Sequence, residues 1–171
     1  MVDYETLCDV NNKRLIGFGK YAGIVGCYNG FLTHGLRTKQ YELKAANQCF
    51  DRTELEQELK KVKLKNAKIL LTGNGRVGEG ALEIIQLLNI KQVDISSFLY
   101  DTFDYPVFVA LNTLDYNKRI DNGISSKSDF YKNPDQYQSS FAKFSAVADI
   151  FIAGHFYGNG SPYLFTRDDA K

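Results

Sequence analysis

The chain has 171 residues, the usual size of one domain and enough to bury a core. With 44% hydrophobic residues, 24% charged residues and a net charge of +1, it reads as an ordinary globular protein and offers no footing for nucleic acid or an acidic membrane. No run approaches the ~18 apolar residues of a membrane span, and Met1-Val2-Asp3-Tyr4-Glu5 lacks the features of a signal peptide. Cys8, Cys27 and Cys49 stand far apart without a CxxC pair, which argues against a disulfide framework or zinc site and for a reducing cytoplasm. His34 and His155 are too isolated to make a metal cluster, so no metal is expected.

In chain order, Tyr4–Cys8 and Arg14–Phe18 flank the turn-rich residues 9–13 and predict a hairpin. Lys20 to Leu36 suits a buried helix. Its glycines cost roughly 1 kcal/mol each relative to alanine when interior, so another element must pack against them. Asp51 is placed to cap a second helix, with Glu54 three residues on as in a capping box and Leu55, Leu59 and Val62 marking one face. The basic run Lys60–Lys65 fits the C-terminal end of that helix.

An apolar strand, Ala67–Leu71, then runs into Gly73-Asn74-Gly75-Arg76-Val77-Gly78 and a helix with an apolar face at Val77, Ala81, Ile84, Ile85 and Leu88. A lone GxGxxG is weak; between a strand and an amphipathic helix it points to a dinucleotide. Gly73 allows the tight turn, Gly75 lets backbone approach a pyrophosphate, and Gly78 lets helix and strand pack closely. The helix N-terminus supplies N–H groups and partial positive charge to the phosphates. The alternative is a strand-to-helix turn that binds nothing.

Asp94 follows about 20 residues after Gly73, at the end of a second strand candidate over Lys91–Val93. There a carboxylate would hold the adenosine ribose hydroxyls and repel a 2′-phosphate, favouring NAD over NADP. Equally, Asp94 could only cap a helix starting at Ile95. The polar region from Asp101 to Asn133 holds one strand candidate, Pro106–Leu111, and Lys118–Lys132 reads as a long surface loop or insertion. Phe141–Phe144 leads into a strand over Ala148–Gly154. His155 follows at the strand's C-terminal edge, where open α/β sheets bind ligands, and is a candidate acid–base group. The expected fold is α/β: a three-layer Rossmann-like domain with a largely parallel sheet, preceded by a hairpin and a glycine-rich helix.

Several of these segments resemble one superfamily: lysine-forming saccharopine dehydrogenase, alanine dehydrogenase and the transhydrogenase nucleotide domain. The likeness lies in Asp3-Tyr4-Glu5 with Lys13 to Gly23, in Gly75 to Ala81, in Ala148 to Ile152 and in Ser161 to Asp169. It implies an NAD-binding domain of an amino-acid oxidoreductase that transfers hydride between NAD and an amine or imine. By the same resemblance, Arg14 binds a substrate carboxylate and Phe18 lines that site. Lys13 contacts the dinucleotide where the family has arginine. Gly75 and Arg76 fall in the pyrophosphate turn with Val77, Asp94 matches the ribose acid, and Gly154 and Phe156 lie beside the cofactor, Phe156 replacing a tyrosine.

The family's catalytic lysine and histidine belong to a preceding domain, so the resemblance assigns this chain no catalytic residue and makes a missing catalytic domain its partner. Residues 1–17 would be the junction and residues 18–171 a nucleotide domain incomplete at its C-terminus, inactive alone. Oligomerisation stays open. Without the resemblance, Arg14 reads as a solvated strand residue and Phe18 and Phe156 as core. A regulatory nucleotide-binding module, an alanine dehydrogenase-like enzyme and a methyltransferase are the competing functions.

Overall fold

The computed structural model describes residues 3–12 and 14–168. Lys13, expected to contact the dinucleotide, lies outside the described residues. The strands are β1 (Lys68–Thr72), β2 (Lys91–Gln92), β3 (Val107–Leu111), β4 (Asn117–Arg119), β5 (Tyr137–Ser139) and β6 (Ile150–Ala153). The helices are α1 (Gly19–Thr38), α2 (Arg52–Leu59), α3 (Arg76–Leu87), α4 (Ile95–Tyr100), α5 (Lys127–Lys132) and α6 (Ala142–Ser145).

Four strands form a parallel sheet in the order β2-β3-β1-β6. Both faces of β1 are buried, as a central parallel strand requires. Ile69 and Leu71 pack into a core with Ile24, Tyr28 and Phe31 of α1, Leu55 and Leu59 of α2, and Ala81, Ile84 and Ile85 of α3. Leu70 points the other way, into Phe98 of α4, Phe144 of α6, Tyr116 and Phe141. The result is the expected three-layer, Rossmann-like α/β architecture.

The glycine-rich segment is helical and its glycines are contact surface. A Cβ at Gly23 would lie 1.9 Å from the Val77 carbonyl oxygen, and one at Gly80 would lie 2.0 Å from that of Lys20. Helices α1 and α3 thus meet backbone to backbone, a gain in packing that offsets the entropy cost of the glycines. At α2, Asp51 accepts the Glu54 N–H at 2.9 Å, while Glu54 reaches past Asp51 to the Phe50 N–H at 2.5 Å.

Two expectations need correction in extent. The N-terminal hairpin survives as a chain reversal held by one antiparallel bridge, Cys8 to Arg14, with Leu15 N–H donating to Leu7 at 2.8 Å. Residues Tyr4–Thr6 coil into a 3-10 turn instead of extending. The segment read as a surface loop, Lys118–Lys132, folds into part of a β4–β5 ribbon and α5. Buried Tyr116, Phe130 and Tyr137 anchor it, and Arg119 clamps Asp121 and Asp129.

Candidate nucleotide-binding cleft

At the C-terminal end of β1 the chain turns through Gly73, whose φ of +89° falls where L side chains are strained. Its N–H donates to Leu111 of β3 at 3.1 Å. Gly78, the third glycine, sits directly beneath: a Cβ there would be 2.0 Å from the Gly73 carbonyl oxygen. Between them Gly75 is the N-cap of α3, in ordinary extended backbone, with no side chain capping the helix. Nothing lies within 4 Å of where its Cβ would be. The free N–H groups of the first turn of α3 therefore meet open space, the arrangement that holds an anion.

That space belongs to a cleft of about 620 Å³ lined by Gly73 to Val77, by Arg14 and the start of α1, by Gly154, His155 and Phe156 after β6, and by Thr113, Lys127 and Tyr131. Helix α1, also without a side-chain cap, begins on the same cleft. The Arg76 guanidinium lies over Gly17, where an added Cβ would be 2.8 Å from Nη1. Phe18 is 59% exposed and Phe156 75% exposed, so neither is a core residue. Arg14, Phe18, Gly73, Gly75, Arg76, Val77, Gly154 and Phe156 are thus brought together, with Gly78 supporting the turn.

His155 is half buried, with Nδ1 at 2.7 Å from Thr72 Oγ1 and its ring edge-on to Tyr116. Burial lowers its pKa from the usual 6.5, which favours the neutral imidazole.

Asp94 is placed elsewhere. It ends β2 at the sheet edge, and β3 stands between it and β1. Its carboxylate accepts the Ser97 N–H at 3.0 Å and caps α4, a bond that lowers its pKa. The strand that follows α3 in sequence is not the strand that joins β1. Position beside β1 goes to the longer, more apolar β3, whose five residues pair with all five of β1. The residue that emerges next to the glycine turn is Asn112. Its Oδ1 accepts from Asn74 Nδ2 at 3.0 Å, and Lys127 Nζ donates to Asn74 Oδ1 at 3.0 Å.

Thr113, Lys127 and Tyr131 come from the region that sequence reasoning left uninterpreted. The capping patterns of Asn112 with Asp115 and of Ser126 with Asp129 could have hinted that this stretch is ordered. Among the described residues no group of His, Cys, Asp and Glu could hold a metal ion, and no helix is long and apolar enough to cross a membrane.

No family model matches the chain. Across its whole length it is 23% identical to mitochondrial alpha-aminoadipic semialdehyde synthase of Rattus norvegicus, with 22% and 23% identity to the proteins of that name from Mus musculus and Bos taurus. The chain spans 21% of the length of each. The similarity is distant and covers the whole chain.

Proposed function

We propose that this cleft binds a nicotinamide adenine dinucleotide and that the domain serves an amino-acid oxidoreductase acting on a C–N bond. The observation that carries this is the uncapped first turn of α3 opening, past Gly75, into a cleft walled by two arginines and three exposed aromatic rings. The residues fit the group. N–H groups of the turn and the Arg76 guanidinium suit a pyrophosphate, and the flat faces of Phe18 and Phe156 suit planar rings. Arg14, also in the lining, suits a substrate carboxylate. When bound, the cofactor supplies a hydride donor or acceptor; the chain's residues position it and shield it from water.

The relatives' printed name describes the making of an amino acid with a side-chain aldehyde. An aldehyde condenses with an amine to an imine, the kind of C–N bond that the saccharopine dehydrogenase resemblance implies as substrate. The preference for NAD over NADP was grounded on Asp94, which caps α4 instead, so that ground lapses.

A second reading, a nucleotide-binding module without catalysis, draws on one observation. The described lining of the cleft holds one histidine and no carboxylate or thiol, and the Nδ1 of that histidine, His155, is engaged by Thr72.

The test is a thermal melt of the 171-residue chain with NAD, NADP and S-adenosylmethionine. A dinucleotide at 100 times its dissociation constant should add about 2.7 kcal/mol. Stabilisation by S-adenosylmethionine alone would overturn the proposal in favour of a methyltransferase. Turnover of saccharopine or alanine by the pure chain would dismiss the binding-only reading.

A further inference from the structure

The strand order β2-β3-β1-β6 divides the cleft at the glycine turn. In sheets of this kind the pyrophosphate sits at the turn after β1, and the two halves of a dinucleotide lie on opposite sides of the point where the order reverses. The adenosine half goes to the side of β3 and β2, which leaves the nicotinamide half to the end of β6. Gly154 and His155 are the first residues after β6, and both line the cleft. Resting on the reading of the cleft as a nicotinamide dinucleotide site, we propose that Thr72 fixes His155 as a neutral imidazole with its proton on Nε2, and that this N–H holds the carboxamide oxygen of the nicotinamide.

Donors and acceptors decide the tautomer. Thr72 Oγ1 lies 2.7 Å from His155 Nδ1, and Thr72 is fully buried. Among the described residues its hydroxyl has no other partner. If Nδ1 carried the proton and donated it, the hydroxyl proton of Thr72 would be buried without an acceptor. With the hydroxyl donating to Nδ1, both groups are satisfied, and the single ring proton stays on Nε2. A second proton on Nδ1 would undo that bond, so the contact with Thr72 and the burial of the ring both favour the neutral form.

Nε2 is then the open end of the ring. It has no partner among the described residues. The buried side-chain polar atom left without a partner among them is Ser140 Oγ, so Nε2 is open to solvent. Thr72 holds the ring on one edge, and Tyr116 packs against it edge-on, with centroids 5.9 Å apart. His155 therefore offers the cleft a donor and no acceptor, in place before a ligand arrives. A neutral donor suits the neutral amide oxygen of a carboxamide, while Arg14 and Arg76 suit anionic groups. A hydrogen bond at that oxygen fixes the rotation of the nicotinamide, and with it the face turned to the substrate.

NMR of the histidine ring nitrogens in isotope-labelled chain reads the tautomer directly. Nδ1 should give an unprotonated signal and Nε2 a protonated one. Thr72→Val, which keeps the shape and removes the hydroxyl, should let the proton populate both nitrogens. Calorimetry then compares NAD or NADP, whichever stabilises the chain more in the melt, with its matching ADP-ribose compound, which lacks only the nicotinamide. His155→Phe should weaken the dinucleotide about three- to tenfold, the scale of one hydrogen bond, and leave the ADP-ribose compound within about twofold. Adding Thr72→Val removes the hydroxyl that His155→Phe leaves unpaired, and the double variant should show the same contrast; melts without ligand confirm that both fold. A ring proton on Nδ1 in the parent chain, unchanged ring signals in Thr72→Val, equal losses for both ligands or no loss for either would overturn this inference and leave the proposed function standing. Equal losses would place His155 at the pyrophosphate. Failure of the parent chain to bind either ligand would defeat the proposed function as well.

Discussion

The Gly78 Cα faces the Gly73 carbonyl so closely that a Cβ on Gly78 would stand 2.0 Å from that oxygen. The first and third glycines of the turn are thus a single contact: one bends the chain back, and the other leaves room for the bend. The start of α3 is set by backbone against backbone, which no rotamer change can relieve.

Gly78→Ala should therefore destabilise the whole domain, by about 1–3 kcal/mol or more, the range for overpacking against fixed structure. Urea unfolding reads this directly. A midpoint equal to that of the parent chain would mean that α3 shifts freely relative to β1, and the description of the turn would be wrong.

At Asp94 the expected loss is local. Its carboxylate caps α4 through the Ser97 N–H, so Asp94→Ala should cost about 1 kcal/mol of stability. Dinucleotide affinity should stay within twofold or so, because β3 separates Asp94 from the glycine turn. A tenfold fall in affinity would return Asp94 to the ribose.

Much of this site was legible because its signals are local. The Ile69–Leu71 run, the glycine spacing and the apolar face from Ala81 to Ile85 each lie within a few residues of one another, and the helix and turn follow from them. Strand order is a different kind of information. Lys91–Val93 and Pro106–Leu111 both read as strands, yet which of them joins β1 depends on tertiary pairing. The exposed, two-residue β2 takes the edge and the apolar β3 the centre. Lys127 was illegible for the same reason: it reaches Asn74 across 53 residues of sequence, through a ribbon held by Arg119, Asp129 and Tyr137.

Gly75→Val separates binding from folding. The residue sits at φ −92° and ψ −171°, backbone that valine readily adopts, and its Cβ direction is free of protein atoms within 4 Å. The variant should melt close to the parent chain. Its isopropyl group would occupy the space in front of the free N–H groups of α3, and dinucleotide binding should fall below detection by calorimetry. Undiminished affinity in the folded variant would place any nucleotide elsewhere on the chain.

The stability of the domain should depend on pH through His155. Burial lowers the pKa of His155 in the folded chain from the 6.5 of a free imidazole. As pH falls, the unfolded chain takes up this proton first. The native state then binds fewer protons than the unfolded one, and stability drops between about 6.5 and the lower folded value. His34 shifts the same way, by burial first, then by repulsion from Arg37, with attraction from Asp149 opposing. The paired carboxylates of Glu54, Glu58 and Glu83 are held below their usual 4.5, and the Cys27 thiol is pushed up to about 12, so none of them titrates in this window. Urea midpoints at pH 7.5 and 5.5 should therefore differ for the parent chain, with the lower value at the lower pH. His155→Gln keeps a polar group beside Thr72 but cannot charge, so its difference should be smaller, and adding His34→Gln should shrink it further. If His155→Gln loses as much stability on acidification as the parent, the imidazole is not held neutral by the fold, and its place beneath the cleft would need another explanation.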